Sequence, residues 1–547
     1  MKPTWFLSVQ AFALMMSWTW TTSAAPPSKL DLQAQCEQLK SKNFQGVLDA
    51  PTQVTSVNAV GSGDDGHCAV SGYVMPNIGF EMLLPSRWNG KFMQSGCGGH
   101  CGTTQYFRTA CDVHARRGYA CVVSDMGHQG TAADGLWAYD NLQAKIDWGF
   151  RATHVVALAG KALTAAFYAK APTHSYFVGG STGGRQALQA AQRFPWDYDG
   201  IVAISPPVDL STIYMTFVWG SRVVRDQSGR PILGKDELEL LTKSALNECD
   251  MDDGVKDAVI SDPLHCAFDI SELACSGPKT STCLSPHQVD AVRKIYSGPL
   301  SAQGERLSLG GPLPGSELGQ WDRDPLVGWG TSYQLIDQQP GYPQLAEEGF
   351  RFLFFWPDPG PSWKLSDFDF DRDSRRMVLR QVLYDSSNPD LRKFKAAGGK
   401  LLMLEGLNDN SVLPRMVIDY YETVERTMGG RDNTEDFLRL FVFPGVGHAL
   451  FGGEGAGVVD YMEAIEKWVE RDEAPHRLIA AKLKSRDDRW VKSFPLDPST
   501  IQFTRPVYPY PLRARYQGHG DPNAAENFEP QADGELNISK TTSQTSP

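Results

Sequence analysis

The sequence lacks three features that mark common classes of protein. Beyond the N-terminal stretch it has no run of about 18 consecutive apolar residues, which is what a membrane-spanning helix needs. It has no basic excess, because 64 Asp and Glu residues outnumber 52 Lys and Arg residues and give a formal net charge of −12. This balance argues against nucleic acid or an anionic membrane as a partner. No internal repeat is evident either.

The composition is that of a soluble globular protein, with 41% hydrophobic and 21% charged residues. A chain of 547 residues is too long for one ordinary domain, so we expect a core with a substantial insertion. The N-terminus is typical of a secretory signal: Lys2 precedes an apolar stretch (residues 5–20) and a small-residue cleavage site (residues 22–24). We predict a signal peptide over residues 1–24 and a secreted or periplasmic protein. Ten cysteines in an exported chain favour disulfide bonds over free thiols.

The stretch Tyr176–Arg185 contains the pattern Gly179-x-Ser181-x-Gly183 between a strand-like apolar run and a helix-forming run. In this pattern a strand turns sharply into a helix, and flanking glycines leave room for a serine with a strained backbone. The free N–H groups of the helix N-terminus then point at the reacting oxygen. A glycine-rich loop with an incidental serine is the alternative. The strand before and the helix after favour the nucleophile elbow of an α/β-hydrolase.

Strand patterns and helix patterns alternate on either side of this elbow. We predict strands at 80–85, 91–95, 118–124, 175–178, 200–203, 399–404 and 437–442, and helices at 155–163, 185–192, 414–428 and 458–471. This alternation predicts a mainly parallel sheet that is covered on both faces. The predicted fold class is α/β, an α/β-hydrolase core with a large inserted lid domain.

The alternation stops between residues 206 and 391, where Pro, Gly and aromatic residues are frequent. We interpret this segment as the lid, lying over the C-terminal edge of the sheet, where ligands of α/β proteins bind. The core then consists of residues 25–205 and 392–528. The polar residues 529–547 are predicted to form a disordered tail.

Three residues that follow predicted core strands can form a catalytic triad. Ser181, Asp409 and His448 occur in the order nucleophile, acid, histidine, which is the order of this fold. The serine would attack a carbonyl, the histidine would take and return the proton, and the aspartate would orient the imidazole. Backbone N–H groups of Thr182 and of the glycine-rich loop around Gly98 are expected to bind the oxyanion.

Each assignment has an alternative. Glu405 could be the acid, but it lies at the strand end, whereas Asp409 lies in the loop beyond, from which a histidine is easier to reach. His100 and His128 also lie in glycine-rich loops after strands. They precede the serine, however, which is the wrong order for this fold.

A short loop carries three carboxylates, those of Asp250, Asp253 and Asp257, with Gly254 between them. Such crowding is repulsive unless a hard cation such as Ca²⁺ binds the oxygens. The spacing differs from that of an EF-hand loop. From these residues alone, a solvated acidic loop is favoured over a cation site.

Taken together, the motifs resemble those of the tannase and feruloyl esterase family over most of the mature chain. The motifs are Asp125-x-Gly-His-Gln-Gly130, Ile146-Asp-Trp-Gly-Phe-Arg-Ala-x-His154, Gly179-Gly-Ser-Thr-Gly-Gly-Arg185, Phe194-Pro-x-x-Tyr-Asp-Gly-Ile-Val-Ala203, Gly399-Lys-Leu…Asp409, Arg439-Leu-Phe-x-x-Pro-Gly-x-Gly-His448 and Arg505-Pro…Tyr510-Pro…Tyr516-x-Gly-x-Gly520. The resemblance implies a lidded α/β-hydrolase that cleaves esters of aromatic hydroxy acids, uses no organic cofactor and holds a structural Ca²⁺ in its lid.

The resemblance also implies the ligands of that ion. They would be the side chains of Asp250, Asp253 and Asp257 and the backbone carbonyls of Val255 and Val259. This reverses the interpretation of the acidic loop.

The resemblance further implies the disulfides Cys36–Cys68, Cys249–Cys266 and Cys275–Cys283. The chain departs from its relatives at Gly180 and Ala449, where most of them carry two bridged cysteines beside the triad. Four other cysteines lie on the oxyanion side and allow three pairings: Cys97, Cys101, Cys111 and Cys121. We expect extra bridges to brace that region instead.

We therefore predict an exported serine esterase for phenolic acid esters of the feruloyl or galloyl type, acting through an acyl-Ser181 intermediate. Its partner is a small aromatic ester, and neither nucleic acid nor membrane is expected. The nearest alternative is an esterase for another aromatic ester, such as a terephthalate monoester. More distant alternatives are a serine peptidase on the same triad and a non-catalytic binding module. The intact elbow and triad partners argue against the binding module.

Overall fold

The computed structural model describes residues 29–105, 108–318, 329, 333, 341–377, 379–485 and 494–532. The predicted signal peptide lies outside these residues. Within them, no helix has both the length and the apolar character needed to cross a bilayer.

The strands are β1 (Thr52–Val60), β2 (His67–Val74), β3 (Ile78–Pro85), β4 (Lys91–Ser95), β5 (Ala120–Ser124), β6 (His174–Gly180), β7 (Gly200–Ile204), β8 (Lys400–Gly406), β9 (Leu438–Phe443), β10 (Leu478–Leu483), β11 (Ile501–Val507), β12 (Arg513–Tyr516) and β13 (Phe528–Gln531). The α-helices are α1 (Lys29–Ser41), α2 (Arg108–Arg116), α3 (Leu142–Ile146), α4 (Ala152–Tyr168), α5 (Thr182–Arg193), α6 (Leu210–Val223), α7 (Lys235–Cys249), α8 (Pro286–Ser297), α9 (Tyr342–Phe352), α10 (Phe370–Asp373), α11 (Arg392–Ala396), α12 (Pro414–Met428), α13 (Arg431–Glu435) and α14 (Tyr461–Arg471).

The first nine strands form one sheet in the order β1-β2-β3-β5-β4-β6-β7-β8-β9. Neighbours from β5 to β9 are parallel, whereas β1, β2 and β3 pair antiparallel at one edge. Every residue of β5 and β7 is buried, as expected for strands that are covered on both faces. The predicted α/β-hydrolase fold class is confirmed.

The segment interpreted as the lid enters between two strands that are neighbours in the sheet. Residues Gly200–Ile204 of β7 pair with residues 400–404 of β8, although almost 200 residues separate them in sequence. No described residue between them adds a strand to the sheet. Part of the intervening segment has its own apolar core beneath α7 and α8, and α6 packs against α9.

Several predicted boundaries shift for local reasons. The helix predicted from 458 begins at Tyr461, because the Asp460 side chain caps it by accepting a hydrogen bond from the N–H of Glu463. The predicted tail is wrong at its start, since residues 529–531 belong to β13 and pair with β12. Residues 533–547 lie outside the described residues.

All ten cysteines form disulfides. The three bridges implied by the resemblance are confirmed: Cys36–Cys68, Cys249–Cys266 and Cys275–Cys283. The pairing that the sequence left open is Cys97–Cys101 and Cys111–Cys121. The first of these lies in the glycine-rich loop after β4, and the second joins α2 to β5, so both brace the part of the core beside the elbow.

Candidate active site

Ser181 lies between β6 and α5, where a tight turn holds its backbone in an unfavourable conformation. Its φ and ψ are 57° and −125°, which are unfavourable for a residue with a side chain. The neighbouring glycines are required by space: a Cβ on Gly179 would lie 2.4 Å from the carbonyl oxygen of Gly183. A Cβ on Gly184 would lie 2.6 Å from the carbonyl oxygen of Ile204. The motif therefore encodes the sharp strand-to-helix turn that exposes the serine.

The glycine-rich loop after β4 packs directly against this turn. A Cβ on Gly96 would lie 2.6 Å from the Cα atom of Gly183, so the two backbones are nearly in contact. The Thr182 hydroxyl donates a hydrogen bond to the carbonyl of Gly99 over 2.7 Å. Thr182 and Gly98 both line the same cavity as Ser181. The structure thus brings together the two segments whose N–H groups were predicted to bind an oxyanion.

His448 and Asp409 are hydrogen bonded to each other, with 2.7 Å between Nδ1 and Oδ2. Asp409 is fully buried, and its Oδ1 atom also accepts hydrogen bonds from the N–H groups of Ser411 (2.8 Å) and Val412 (2.9 Å). His448 and Ser181 line one cavity. The three predicted triad residues therefore emerge at one edge of the sheet, after β6, β8 and β9.

The alternative residues have other partners. Glu405 is buried at the end of β8, where burial, followed by the neighbouring charge of Asp409, raises its pKa well above the ordinary value. His100 is buried between the carbonyl of Asp134 and the Tyr214 hydroxyl, and burial lowers its pKa to about 4. His128 stacks on Trp137 with ring centroids 3.7 Å apart, and burial lowers its pKa to about 3. Both rings are buried, and neither lines the cavity that Ser181 and His448 share.

Arg185, the last residue of the elbow motif, fixes α5 to two irregular helical turns. Its guanidinium donates to the carbonyls of Trp148 (3.1 Å), Gly149 (2.8 Å) and Tyr384 (3.2 Å). These carbonyls belong to π-helical turns at Asp147–Arg151 and Arg380–Tyr384. The fully buried side chain therefore links the elbow helix both to the core and to the lid.

The cavity at Ser181 has a volume of about 500 Å³. Most of its lid wall is apolar or aromatic, and Gln344 adds a polar side chain: the apolar and aromatic residues are Leu210, Ile213, Phe217, Tyr342 and Leu345. Among the described lining residues there is no Asp, Glu, Lys or Arg. The sequence analysis did not identify this wall. The helical spacing of Leu210, Ile213 and Phe217 was the available signal, but any buried helix would give the same spacing.

The acidic loop has a geometry that agrees with the calcium prediction only in part. Asp250 Oδ1 accepts a hydrogen bond from the N–H of Asp257, and Asp253 Oδ1 from that of Val255. Asp257 Oδ2 pairs with Arg505 at 2.6 Å, whereas its buried Oδ1 atom has no hydrogen-bond partner. Burial raises the pKa of Asp253 to about 7.

This unpartnered oxygen and the crowded carboxylates fit a cation. Among the described side chains, however, no group of three or more His, Cys, Asp or Glu residues is arranged as a metal site. The calcium site stays a prediction.

Comparison with known proteins gives one consistent result. The family model described as tannase and feruloyl esterase matches residues 60–530. An uncharacterised esterase of Xanthomonas campestris is 31% identical over 93% of this chain and 92% of its own length. Mono(2-hydroxyethyl) terephthalate hydrolase of Piscinibacter sakaiensis is 30% identical over 91% of each chain. The crystal structure of feruloyl esterase B from Aspergillus oryzae superposes with a TM-score of 0.78 at 27% identity, covering 91% of this chain and all of that one.

Proposed function

The chain is a carboxylic ester hydrolase of the tannase and feruloyl esterase family, and from this premise we propose that it hydrolyses esters of phenolic acids through an acyl-Ser181 intermediate. The observation that carries this proposal is the convergence of a strained serine, a buried His448–Asp409 pair and a glycine-rich backbone loop on one apolar cavity.

In the acylation step, His448 takes the proton of the Ser181 hydroxyl while the serine oxygen attacks the ester carbonyl. The backbone N–H groups of Thr182 and the Gly98 region donate to the developing oxyanion. Loss of one such donor typically costs about 3 kcal/mol of barrier. His448 then gives its proton to the departing alcohol. In the second step it activates water, which releases the acid and restores the serine.

The cavity wall supports an aromatic and uncharged acid as the substrate group. Aromatic rings gain by packing against apolar and aromatic side chains such as Phe217 and Tyr342. A free carboxylate would lose its hydration there, and the described lining offers no cation to pair with it. We therefore favour feruloyl or galloyl esters over a terephthalate monoester, the substrate type named for one relative.

A panel of methyl ferulate, methyl gallate, mono(2-hydroxyethyl) terephthalate and p-nitroanilide peptides tests this function. We expect turnover of the phenolic esters, weak turnover of the terephthalate and none of the peptides. Peptide cleavage alone would favour the peptidase alternative, and preferred turnover of the terephthalate would contradict the substrate proposal. Inactivity on every member would favour the binding module.

Variants connect activity to the triad. Ser181→Ala should lower kcat by about 10⁶-fold, and Asp409→Asn by about 10⁴-fold, because the histidine loses its orientation and tautomer. Asp197→Asn is the matched control. His154 and Asp197 form a second pair, also with 2.7 Å between Nδ1 and Oδ2, and neither lines the cavity. Loss of activity in this control as large as in Asp409→Asn would argue against the triad assignment.

We also propose that the protein is exported and that Ca²⁺ binds the loop of Asp250, Asp253 and Asp257. Five disulfides support export, because such bonds persist in oxidising compartments. The ion would stabilise the lid by binding only the folded state. A chelator should lower the Tm, and Asp250→Ala should lower it without further response to chelator. Asp252→Ala, an exposed acidic residue of the same loop, is the control that should respond like the wild type.

A further inference from the structure

A ring of hydrogen bonds closes around the backbone of the His448 loop. His448 Nδ1 bonds to Asp409, and the N–H of the next residue, Ala449, donates to the Ser205 hydroxyl over 3.0 Å. That hydroxyl donates to Glu405 Oε1 over 3.5 Å. The Glu405 carboxyl is in turn within hydrogen-bonding reach of Asp409. Glu405 and Ser205 thus connect Asp409 to the backbone of Ala449 and close the ring.

The ring contains two fully buried carboxyl groups, those of Glu405 and Asp409. Asp409 receives three N–H donors, which stabilise its charged form. Glu405 receives the Ser205 hydroxyl and the backbone N–H of Gly406, and its Oε2 atom has no donor. A buried carboxylate with so few donors is costly, and two adjacent buried charges repel. One proton shared by the pair therefore belongs on Glu405.

We propose that Glu405 is protonated and acts as a positioning residue. Its O–H donates a hydrogen bond to Asp409, and its carboxyl group accepts one from the Ser205 hydroxyl. Together these two hydrogen bonds hold the His448 loop in place. This inference rests on the proposed serine esterase reaction. Glu405 is not itself a catalytic residue, because it acts only through Asp409 and Ser205.

The backbone of the loop explains why such support is needed. Ala449 and Leu450 have φ values of 56° and 63°, so two consecutive non-glycine residues after His448 are left-handed. Ser205 is left-handed as well, with a φ of 41°. Conformations of this kind persist only where the surroundings impose them. The Ser205 hydroxyl supplies one such constraint, because it accepts the N–H of Ala449.

Few groups among the described residues face Glu405. Asp409 is the titratable neighbour, and His448 lies beyond it; Ser205, at the end of β7, and the backbone of Gly406 complete the surroundings. The ionisation of Glu405 should therefore be detectable through His448. A negative charge at Glu405 would raise the pKa of the imidazole, and its removal would lower that pKa.

The acid limb of kcat/KM against pH, which reports ionisation in the free enzyme, tests the proton position. Glu405→Gln is neutral and can make both hydrogen bonds of a protonated acid, so we expect kcat within about threefold of wild type and an unshifted acid limb. An acid limb that moves to lower pH would mean that Glu405 is ionised, and would overturn the proposal. Asp197→Asn, which changes a buried carboxyl outside the ring, controls for general effects on the profile.

Glu405→Leu tests positioning. It removes both hydrogen bonds, and we expect kcat to fall about tenfold with little change in KM, because a displaced catalytic group slows the chemical step. Ser205→Ala opens the ring at another point, so its effect and that of Glu405→Leu should not add in the double variant. Wild-type kcat in Glu405→Leu, or effects that add fully, would overturn the positioning role. If Glu405→Leu does not fold, Ser205→Ala alone tests the ring: kcat should fall with little change in KM, and wild-type kcat in this variant would overturn the positioning role.

An infrared difference spectrum gives a readout that is independent of catalysis. At pH 7 the wild type should show the C=O band of a protonated carboxylic acid, which Glu405→Gln lacks. Absence of this difference would overturn the protonation of Glu405. Its presence in a wild type that hydrolyses no ester would reject the proposed function and leave the proton on Glu405.

Discussion

Joint replacement of Gly180 and Ala449 by cysteine should create a sixth disulfide beside Ser181 and His448. An ideal Cβ on Gly180 would lie 3.4 Å from the Cβ of Ala449, with Ile204 next nearest at 3.9 Å. Disulfides hold their Cβ atoms about 3.5–4.5 Å apart, so a shift of a few tenths of an ångström is sufficient. These are the two positions at which most relatives are expected to carry a bridge.

The stabilisation can be estimated from the length of the loop that the bridge closes. Roughly 270 residues separate the two positions, for which loss of chain entropy in the unfolded state alone gives about 5–6 kcal/mol. Engineered bridges usually deliver less, so we expect about 2–4 kcal/mol and a higher Tm in the double variant than in either single variant.

Intact mass after alkylation without reductant checks the bond. The double variant should gain no alkyl group, whereas each single variant should gain one. If both new thiols are alkylated and the Tm matches that of the single variants, the packing of the elbow against the His448 loop described above is incorrect.

Three further predictions follow from the packing. Gly96→Ala places a Cβ 2.6 Å from the elbow backbone and should lower kcat in an ester assay by about 10–100-fold. Gly180→Ala is the matched control: the nearest atom to its Cβ would be 3.4 Å away, so kcat should stay close to that of the wild type. Burial lowers the pKa of His114 to about 4, so the unfolded chain takes up a proton at His114 before the folded protein does as the pH falls. The free energy of unfolding should therefore be highest above about pH 6.5 and fall toward pH 4, by about 1.4 kcal/mol per pH unit at most. In urea unfolding, His114→Phe should show a smaller fall in the free energy of unfolding over that range, and an unchanged fall would contradict this. Asp358→Asn leaves the buried Lys145 ammonium without its ion-pair partner and should lower the free energy of unfolding by about 3–5 kcal/mol in urea. The double variant Asp358→Leu with Lys145→Met removes both charges and should recover most of that loss. Equal losses in Asp358→Asn and in the double variant would contradict this.

The elements that carry the triad could be predicted because their signals are local. The helix predicted at 414–428 has those bounds, and the strand predicted at 91–95 matches β4. Continuous apolar runs between turn residues identified the parallel strands, and the order Ser181, Asp409, His448 then placed three side chains at one sheet edge. The choice of Asp409 over Glu405 rested on reach from a loop, and Asp409 is the residue that contacts His448.

What the sequence left open depends on contacts between distant segments. The pairing of Cys97 with Cys101 follows from a tight loop that no pattern marks. The strand at 528–531 exists because β12 supplies its partner, and its polar sequence alone predicted a tail. The place of Glu405 beside Ser205 needs β7 and β8 to be neighbours, although the whole lid separates them in sequence.

Labelling with a fluorophosphonate, located by peptide mass analysis, tests the central claim most directly. Our account predicts one label per chain, on Ser181, none at that position in Ser181→Ala, and strongly slowed labelling in Asp409→Asn but not in Asp197→Asn. An unlabelled wild type, or a label on another serine, would contradict the assignment of Ser181 as the nucleophile.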